Sequence, residues 1–512
     1  MADITAPASA TQPLSATAAQ EEPATRTVLL CVIALALIWG AYFSIANTSM
    51  AITHDMAEAY AWGQEFQLGY NQHPPFWAWI CGLWFLVFPH TQWAFSFLSS
   101  SNCAIGLWGA WTLIGDFVSG PKRLAAWAML LLVPAATFYA YKYDANTIFL
   151  SIWPWTLHWF LRSLRTRGLK DAAAFGAGMG MALMSKYYAL ILAATCLLAV
   201  LQHPSRRRYF ASPAPYAAAC VTLLLCVPHI WWLFAHSAPP IRYLESKTGW
   251  PWWYVSGHAA KTLVDAAVMH AGLAVPFALT RWWPRSDPPR AATADRRGPG
   301  VGILATLSLA PVLLTVACGL AIRTPVTLEM TVATFPLLPL LAIELAGVRD
   351  VERLCRISVR LAVGVCLGSL ALSPAIAYAR TWMLAEGKKV VPFQEVALAA
   401  TRLWHDRVGT RLAYVTGSAW YENETAFYSP DSPHAFTQFD LSRSLWVTPE
   451  KLAHDGLLSI CLRHDTACLA DTAALATPET TRVELTLAHR FWGHAARPET
   501  YVLTVIPPHK PR

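Results

Sequence analysis

Apolar runs long enough to cross a bilayer recur from residue 28 to residue 380. A segment within hydrocarbon must satisfy its own backbone hydrogen bonds, so runs of this length can only be helices. Eleven stretches approach the roughly 17–25 residues a crossing needs: 28–48, 76–117, 123–141, 145–161, 171–185, 187–201, 214–235, 256–280, 300–321, 327–347 and 358–379. The second is too long for one straight crossing and is expected to begin as a surface helix. The fifth and sixth are short and meet at Ser185-Lys186-Tyr187. Composition agrees: 55% of residues are hydrophobic and 14% charged, where a soluble protein carries about 25% charged residues. The expected fold class is a polytopic α-helical membrane protein of about eleven transmembrane helices with a small C-terminal α/β domain.

The net charge of +8 is read by position. With the N-terminus in the cytoplasm, the inner loops hold eighteen basic residues, among them Lys122, Arg162, Arg206, Arg285, Arg290, Arg296, Arg297 and Arg353. The outer loops hold five: Lys142, Lys186, Arg242, Lys247 and Arg323. That asymmetry is the positive-inside rule and orients the chain. No nucleic-acid motif appears. Residues 1–27 read as a disordered cytoplasmic tail, too rich in Ala, Thr, Ser and Pro to build a core, and the first span reads as an uncleaved anchor. Residues 28–380 form the multi-span domain, with the first outer loop at 49–75. Residues 381–512 read as a soluble α/β domain on the outer face. Its strands are expected at 411–417, 434–440, 457–462, 482–489 and 501–506, with helices at 393–407 and 449–454. No Gly-x-Gly-x-x-Gly loop follows any of these strands, which argues against a nucleotide site there. Cys461 and Cys468 lie in this domain and are spaced so that a disulfide can form.

The chemistry concentrates in the first outer loop, which holds Asp55, Glu58 and Glu65 and no Lys or Arg. Asp55 and Glu58 are three apart and share a face if 54–66 is a short surface helix. Asp55 in its first turn can be a cap facing the helix dipole, a role that leaves Glu58, Glu65 and His73 unexplained. His73-Pro74-Pro75 opens the next apolar run, where proline suits a helix start. A second polar cluster, Tyr141-Lys142-Tyr143-Asp144-Ala145-Asn146, lies on the same face. Asp144 there is either an N-cap or a functional carboxylate. Outer cations run against the charge rule, so they point to an anionic ligand.

Taken together, the loop HDMAEAYAWGQEFQLGYNQHPP with its Tyr-x-x-His-Pro-Pro ending, Tyr143-Asp144, Gly176–Tyr187 with its Ser-Lys-Tyr ending, and Pro228-His229-Ile230-Trp231-Trp232 resemble the membrane-embedded glycosyltransferases that use lipid-linked sugars. The branch most similar is that of the protein O-mannosyltransferases and the lipid A aminoarabinose and galacturonic acid transferases. Two departures stand out: His73 occupies a position where the aminoarabinose branch has Lys, and His54-Asp55 stands where an acidic pair is expected. The resemblance implies a GT-C fold in a bacterial inner membrane, with the C-terminal domain periplasmic. It implies a polyprenyl phosphate sugar donor, an envelope lipid, glycan or protein acceptor, and inverting transfer. Asp55 is then the base that takes the acceptor proton. Glu58 and Asp144 keep a retaining mechanism open. Lys186, Arg323, His73 and Lys142 are the residues for the leaving phosphate. No cofactor is required; a divalent cation on Asp55, Glu58 and His73 is the metal alternative. A transporter or flippase of a lipid-linked or anionic solute is the competing reading, and a non-catalytic membrane partner is a third.

Overall fold

The computed structural model describes residues 25–282, 300–385 and 390–509. The tail 1–24 and Arg285, Arg290, Arg296 and Arg297 of the basic inner loop lie outside the described residues.

The eleven expected stretches are all helical in whole or part, but they differ in how they span. Among the described residues, five helices are long and apolar enough to cross alone: Thr25–Ala46, Ala214–Ala235, Trp252–Arg281, Val301–Ala321 and Val351–Trp382. Gly120–Leu130 and Pro134–Tyr141, bent by 81°, make a sixth if taken as one broken span. The 76–117 stretch divides into Phe76–Phe85 and Gln92–Gly115. The latter is 24 residues long, about 36 Å, and buries Ser96, Ser99, Ser100 and Asn102. It lies between Thr25–Ala46 and Phe149–Thr166, so protein rather than lipid receives those polar groups. Its sequence therefore reads as less apolar than a lone span. The 327–347 stretch is a 3-10 turn, Leu328–Thr331, followed by the short helix Leu338–Ala346.

The helix His54–Gly63 lies against Phe76–Phe85 at two glycines. A Cβ on Gly82 would stand 2.3 Å from the Gly63 carbonyl oxygen, and one on Gly63 would stand 2.7 Å from the Ala78 oxygen. Backbone therefore meets backbone, an approach that only glycine permits. This contact sets the first-loop helix onto the bundle.

The C-terminal segment holds the strands β1 (Tyr414–Gly417), β2 (His434–Ala435), β3 (Leu457–Leu462), β4 (Thr481–Leu487), β5 (Arg490–Phe491), β6 (His494–Ala495) and β7 (Glu499–Ile506). The main sheet runs β2-β1-β3-β7-β4. β1 is parallel to β2 and β3, and β7 is antiparallel to β3 and β4. Helix Phe393–Val408 covers it with Val396, Ala400 and Trp404 against Val415, Leu458, Ile460 and Leu503. Cys461 and Cys468 form a disulfide. All five expected strands are present, three of them shorter. The helices Tyr421–Tyr428 and Thr466–Ala474 and the β5–β6 pair were not foreseen. Trp382, at the end of the last long helix, has its ring 5.6 Å from that of His494 on β6.

Candidate active site

Thr53, not Asp55, is the N-cap of His54–Gly63. Among the described residues no hydrogen bond reaches the half-buried Asp55 carboxylate. Asp55 instead interacts with Lys142, Lys186 and Glu329. Burial raises its pKa above the usual aspartate range; Glu329 adds to this, and the two lysines oppose it. Glu58, one turn on, is buried. Burial, then Asp55, Glu422 and Asp144, lift its pKa to about 8, against Lys186. An ionised carboxylate buried without a bonded cation costs several kcal/mol, so Glu58 holds its proton at neutral pH.

The tyrosine-to-proline motif shapes the floor. Tyr70 stacks on Trp62 with ring centroids 4.6 Å apart, and its hydroxyl donates to the Trp62 carbonyl at 2.6 Å. The Tyr70 N–H donates to the His73 carbonyl at 3.1 Å, closing the turn. Pro75 is the N-cap residue of Phe76–Phe85, so the prolines do start that helix. The His73 ring sits among Trp62, Trp77 and Tyr243. Burial and the nearby Lys186 hold it well below its ordinary pKa, so it is neutral.

The second cluster faces the first. Asp144 Oδ1 accepts from the N–H groups of Asn146 at 2.7 Å and Thr147 at 2.8 Å. Asp144 is therefore not the N-cap of Phe149–Thr166, which is Ile148; its Oδ1 closes the turn just before that helix, because the helix begins later than the sequence suggests. Lys186 Nζ donates to Asn146 Oδ1 at 2.7 Å and interacts with Asp144, Asp55, Glu329 and Glu58. Lys142 Nζ bonds Glu329 Oε1 at 2.7 Å, which also accepts from the Tyr139 hydroxyl at 2.8 Å. The Lys142–Glu329 pair is part-exposed, at 29% and 41%, and pairs of this kind contribute about 0–1 kcal/mol. Lys142 can therefore turn to an anionic ligand at little cost.

His229 joins the motifs. Its Nδ1 lies 2.8 Å from the Leu68 carbonyl and its Nε2 2.8 Å from the Tyr187 hydroxyl. The first loop is thus tied to the Ser-Lys-Tyr turn that carries Lys186.

The structure therefore brings Asp55, Glu58, Asp144, Lys186, Lys142 and His73 together. Arg323 stands apart: it is exposed, its carbonyl accepts from the Trp250 N–H at 3.0 Å, and its guanidinium lies toward Gly249. No group of three or more His, Cys, Asp and Glu among the described residues is arranged to hold a metal ion. Sequence reasoning missed Glu329 and Glu422. Glu329 had a signal, a lone acid at the start of an apolar stretch. Glu422 had none, because Glu422-Asn423-Glu424 reads as a solvated helix face. In fact all three are buried, in the helix Tyr421–Tyr428, which lies against His54–Gly63.

Residues 72–232 match the model of the family described as dolichyl-phosphate-mannose-protein mannosyltransferase. The lipid A galacturonosyltransferase RgtD of Rhizobium johnstonii is 22% identical over 213 residues, 38% of this chain and 41% of that one. The lipopolysaccharide core galacturonosyltransferase RgtB of the same organism is 29% identical over 195 residues, 36% of this chain and 38% of that one. The match thus spans about two fifths of the length of these curated relatives. Crystal structures of ArnT from Cupriavidus metallidurans superpose over almost the whole chain. The form bound to undecaprenyl phosphate gives a TM-score of 0.58 at 14% identity, covering 94% of this chain and 98% of that one. The apo form gives 0.59 at 13%, covering 93% and 98%. The chain is a multi-pass membrane protein with the GT-C fold seen in ArnT, and its residues 72–232 are similar to the dolichyl-phosphate-mannose-protein mannosyltransferase family.

Proposed function

We propose that the chain is an inverting glycosyltransferase that moves a monosaccharide from a polyprenyl phosphate sugar to an envelope lipid or glycan. The transfer takes place on the periplasmic face of a bacterial inner membrane, with the N-terminus cytoplasmic and the C-terminal domain periplasmic. The observation that carries this is the half-buried Asp55 carboxylate, which has no hydrogen-bond partner among the described residues and lies in the electrostatic reach of two lysines, Lys142 and Lys186, from separate turns. Asp55 takes the proton of the acceptor hydroxyl as that oxygen attacks the anomeric carbon. The bond to the phosphate oxygen breaks on the opposite side, and the phosphate leaves with the electron pair. Lys186 and Lys142 receive its charge, with neutral His73 beside them. Glu58 is protonated and Asp144 is held in its turn by the Asn146 and Thr147 N–H groups on Oδ1, so the reading gives neither the role of nucleophile in a double displacement. The names of RgtD and RgtB, which act on lipid A and the lipopolysaccharide core, support a lipid or glycan acceptor. The undecaprenyl phosphate bound to ArnT supports a polyprenyl phosphate donor.

The test uses membranes containing the protein and radiolabelled polyprenyl phosphate sugars. Label should move covalently into the lipid A or core fraction. A transporter or flippase would move labelled donor across the bilayer without that covalent transfer. Two ammonium groups already serve the phosphate, so the reading calls for no cofactor, and turnover should persist in EDTA. Loss of turnover in EDTA would establish the divalent-cation alternative.

A further inference from the structure

Residues 46–53 connect the first long helix to the helix that carries Asp55, and four side chains from four places hold them. Arg380 bonds the Ala46 carbonyl and Asn47 Oδ1. Gln92 Nε2 donates to the Asn47 carbonyl at 2.7 Å. The Tyr428 hydroxyl accepts from the Ile52 N–H at 2.8 Å. His489, just past β4, has Nε2 3.0 Å from the Ser49 carbonyl and Nδ1 2.8 Å from Glu395 Oε1.

A backbone carbonyl can only accept, and so can an ionised carboxylate. A neutral imidazole has one N–H and would set a lone pair against one of these two oxygens. Only the imidazolium satisfies both contacts. Ser49 is fully buried, so water is poorly placed to replace the lost donor.

We propose that His489 is a positioning residue: as an imidazolium it ties the outer domain to the Ser49 carbonyl and so fixes the segment that delivers Asp55. Deprotonation removes one of the ring's two bonds and loosens that segment. The proposal rests on the role given to Asp55 above.

The surrounding groups agree. The hydrogen bond to Glu395 first, then its charge and the Ser49 carbonyl, raise His489 above its ordinary 6.5, against burial. Glu395, on Phe393–Val408, is held below its ordinary range by that same bond and by the Arg490 N–H, against burial. From Tyr421–Tyr428 the neighbour is Tyr428, which lies in the electrostatic reach of Glu395 and of Glu424; burial holds Tyr428 and Glu424 protonated. From the last long helix it is Arg380, which is permanently charged. A histidine raised in the folded state contributes stability below its unfolded value, and that stability is lost as pH rises through the folded value. The tie is thus made in mild acid and undone in alkali.

Hydrogen exchange at the Met50 and Ile52 amides of the full chain in detergent tests this, corrected for intrinsic base catalysis. Between about pH 6 and about pH 9, opening of the segment in the wild type should rise about tenfold or more. Glu395→Gln should move that rise to lower pH. His489→Gln should be open already at the acid end and show no step. A flat wild-type profile overturns the proposal, as does a wild-type step retained in His489→Gln or left unmoved in Glu395→Gln. Exchange needs no turnover, so Asp55→Asn should keep the step. If Asp55→Asn also keeps full transferase activity, the base assignment fails while the positioning of this segment stands.

Discussion

An aspartate in the first turn of a helix has two ordinary uses, as a cap for the N–H groups or as a reactive carboxylate. At Asp55 the cap position belongs to Thr53, and the carboxylate lies in the electrostatic reach of Lys142 and Lys186 instead. Asp55→Asn keeps the shape but cannot take a proton. Transfer should fall by about 100-fold or more in a protein that inserts and melts normally. Were Asp55 only a cap, asparagine would serve nearly as well and cost a few tenths of a kcal/mol; full activity in the variant would remove the base from the mechanism. Glu58 gives a pH signature of its own. Its folded value of about 8 lies above its ordinary 4.5, so the folded state binds an extra proton between them. Stability is therefore favoured below that window and falls as pH rises through it, by on the order of a few kcal/mol. Glu58→Gln removes the titrating group, and its melting temperature in detergent should decline less between about pH 5 and about pH 8. A decline equal to the wild type's would mean that Glu58 is ionised throughout.

The contacts that present these residues are made by whole elements. His54–Gly63 is held on one side by the glycine-to-glycine approach to Phe76–Phe85 and on the other by Tyr421–Tyr428. Neither neighbour can retreat easily, because the first contact is backbone on backbone. Gly82→Ala places a methyl where the Gly63 carbonyl already stands. It should destabilise the protein by about 1–3 kcal/mol, read as a lower melting temperature. Unchanged stability would show that the two helices can separate. The glycines are plain in the sequence, but their partnership is not, since nothing local states which helices meet. The same holds for Tyr421–Tyr428. Its run Glu422-Asn423-Glu424 has the composition of an exposed helix, and only a buried position between the domain and the loop makes it otherwise.

At the scale of the molecule, the orientation proposed above, which the charge asymmetry supports, puts the C-terminal domain outside the cytoplasm. A reporter fused after residue 390 should be active as alkaline phosphatase and dark as a cytoplasmic fluorophore. The reverse would separate the carboxylates from any outer-face substrate. The membrane class, the rough helical stretches, the five strands and the polar loops that hold the candidate site were all legible along the chain. Each follows from local patterning: long apolar runs, period-two alternation, and polar clusters that hydrocarbon would not tolerate. The way the spans divide was not legible, because the 81° break after Leu130 and the polar buried face of Gln92–Gly115 depend on neighbours. The same limit governed the site. Asp55, Glu58, Asp144, Lys142, Lys186 and His73 were each visible as outer polar residues, and Arg323 was indistinguishable from them. Proximity separated them, since it brings the first six into one electrostatic environment and leaves Arg323 at an exposed edge. Glu329, Glu422 and His489 acquire their meaning in the same way, from oxygens and rings far away in sequence. Local pattern reports what a residue prefers to touch, water or lipid, whereas charge state and hydrogen-bond partnership depend on distances that only the packed chain sets.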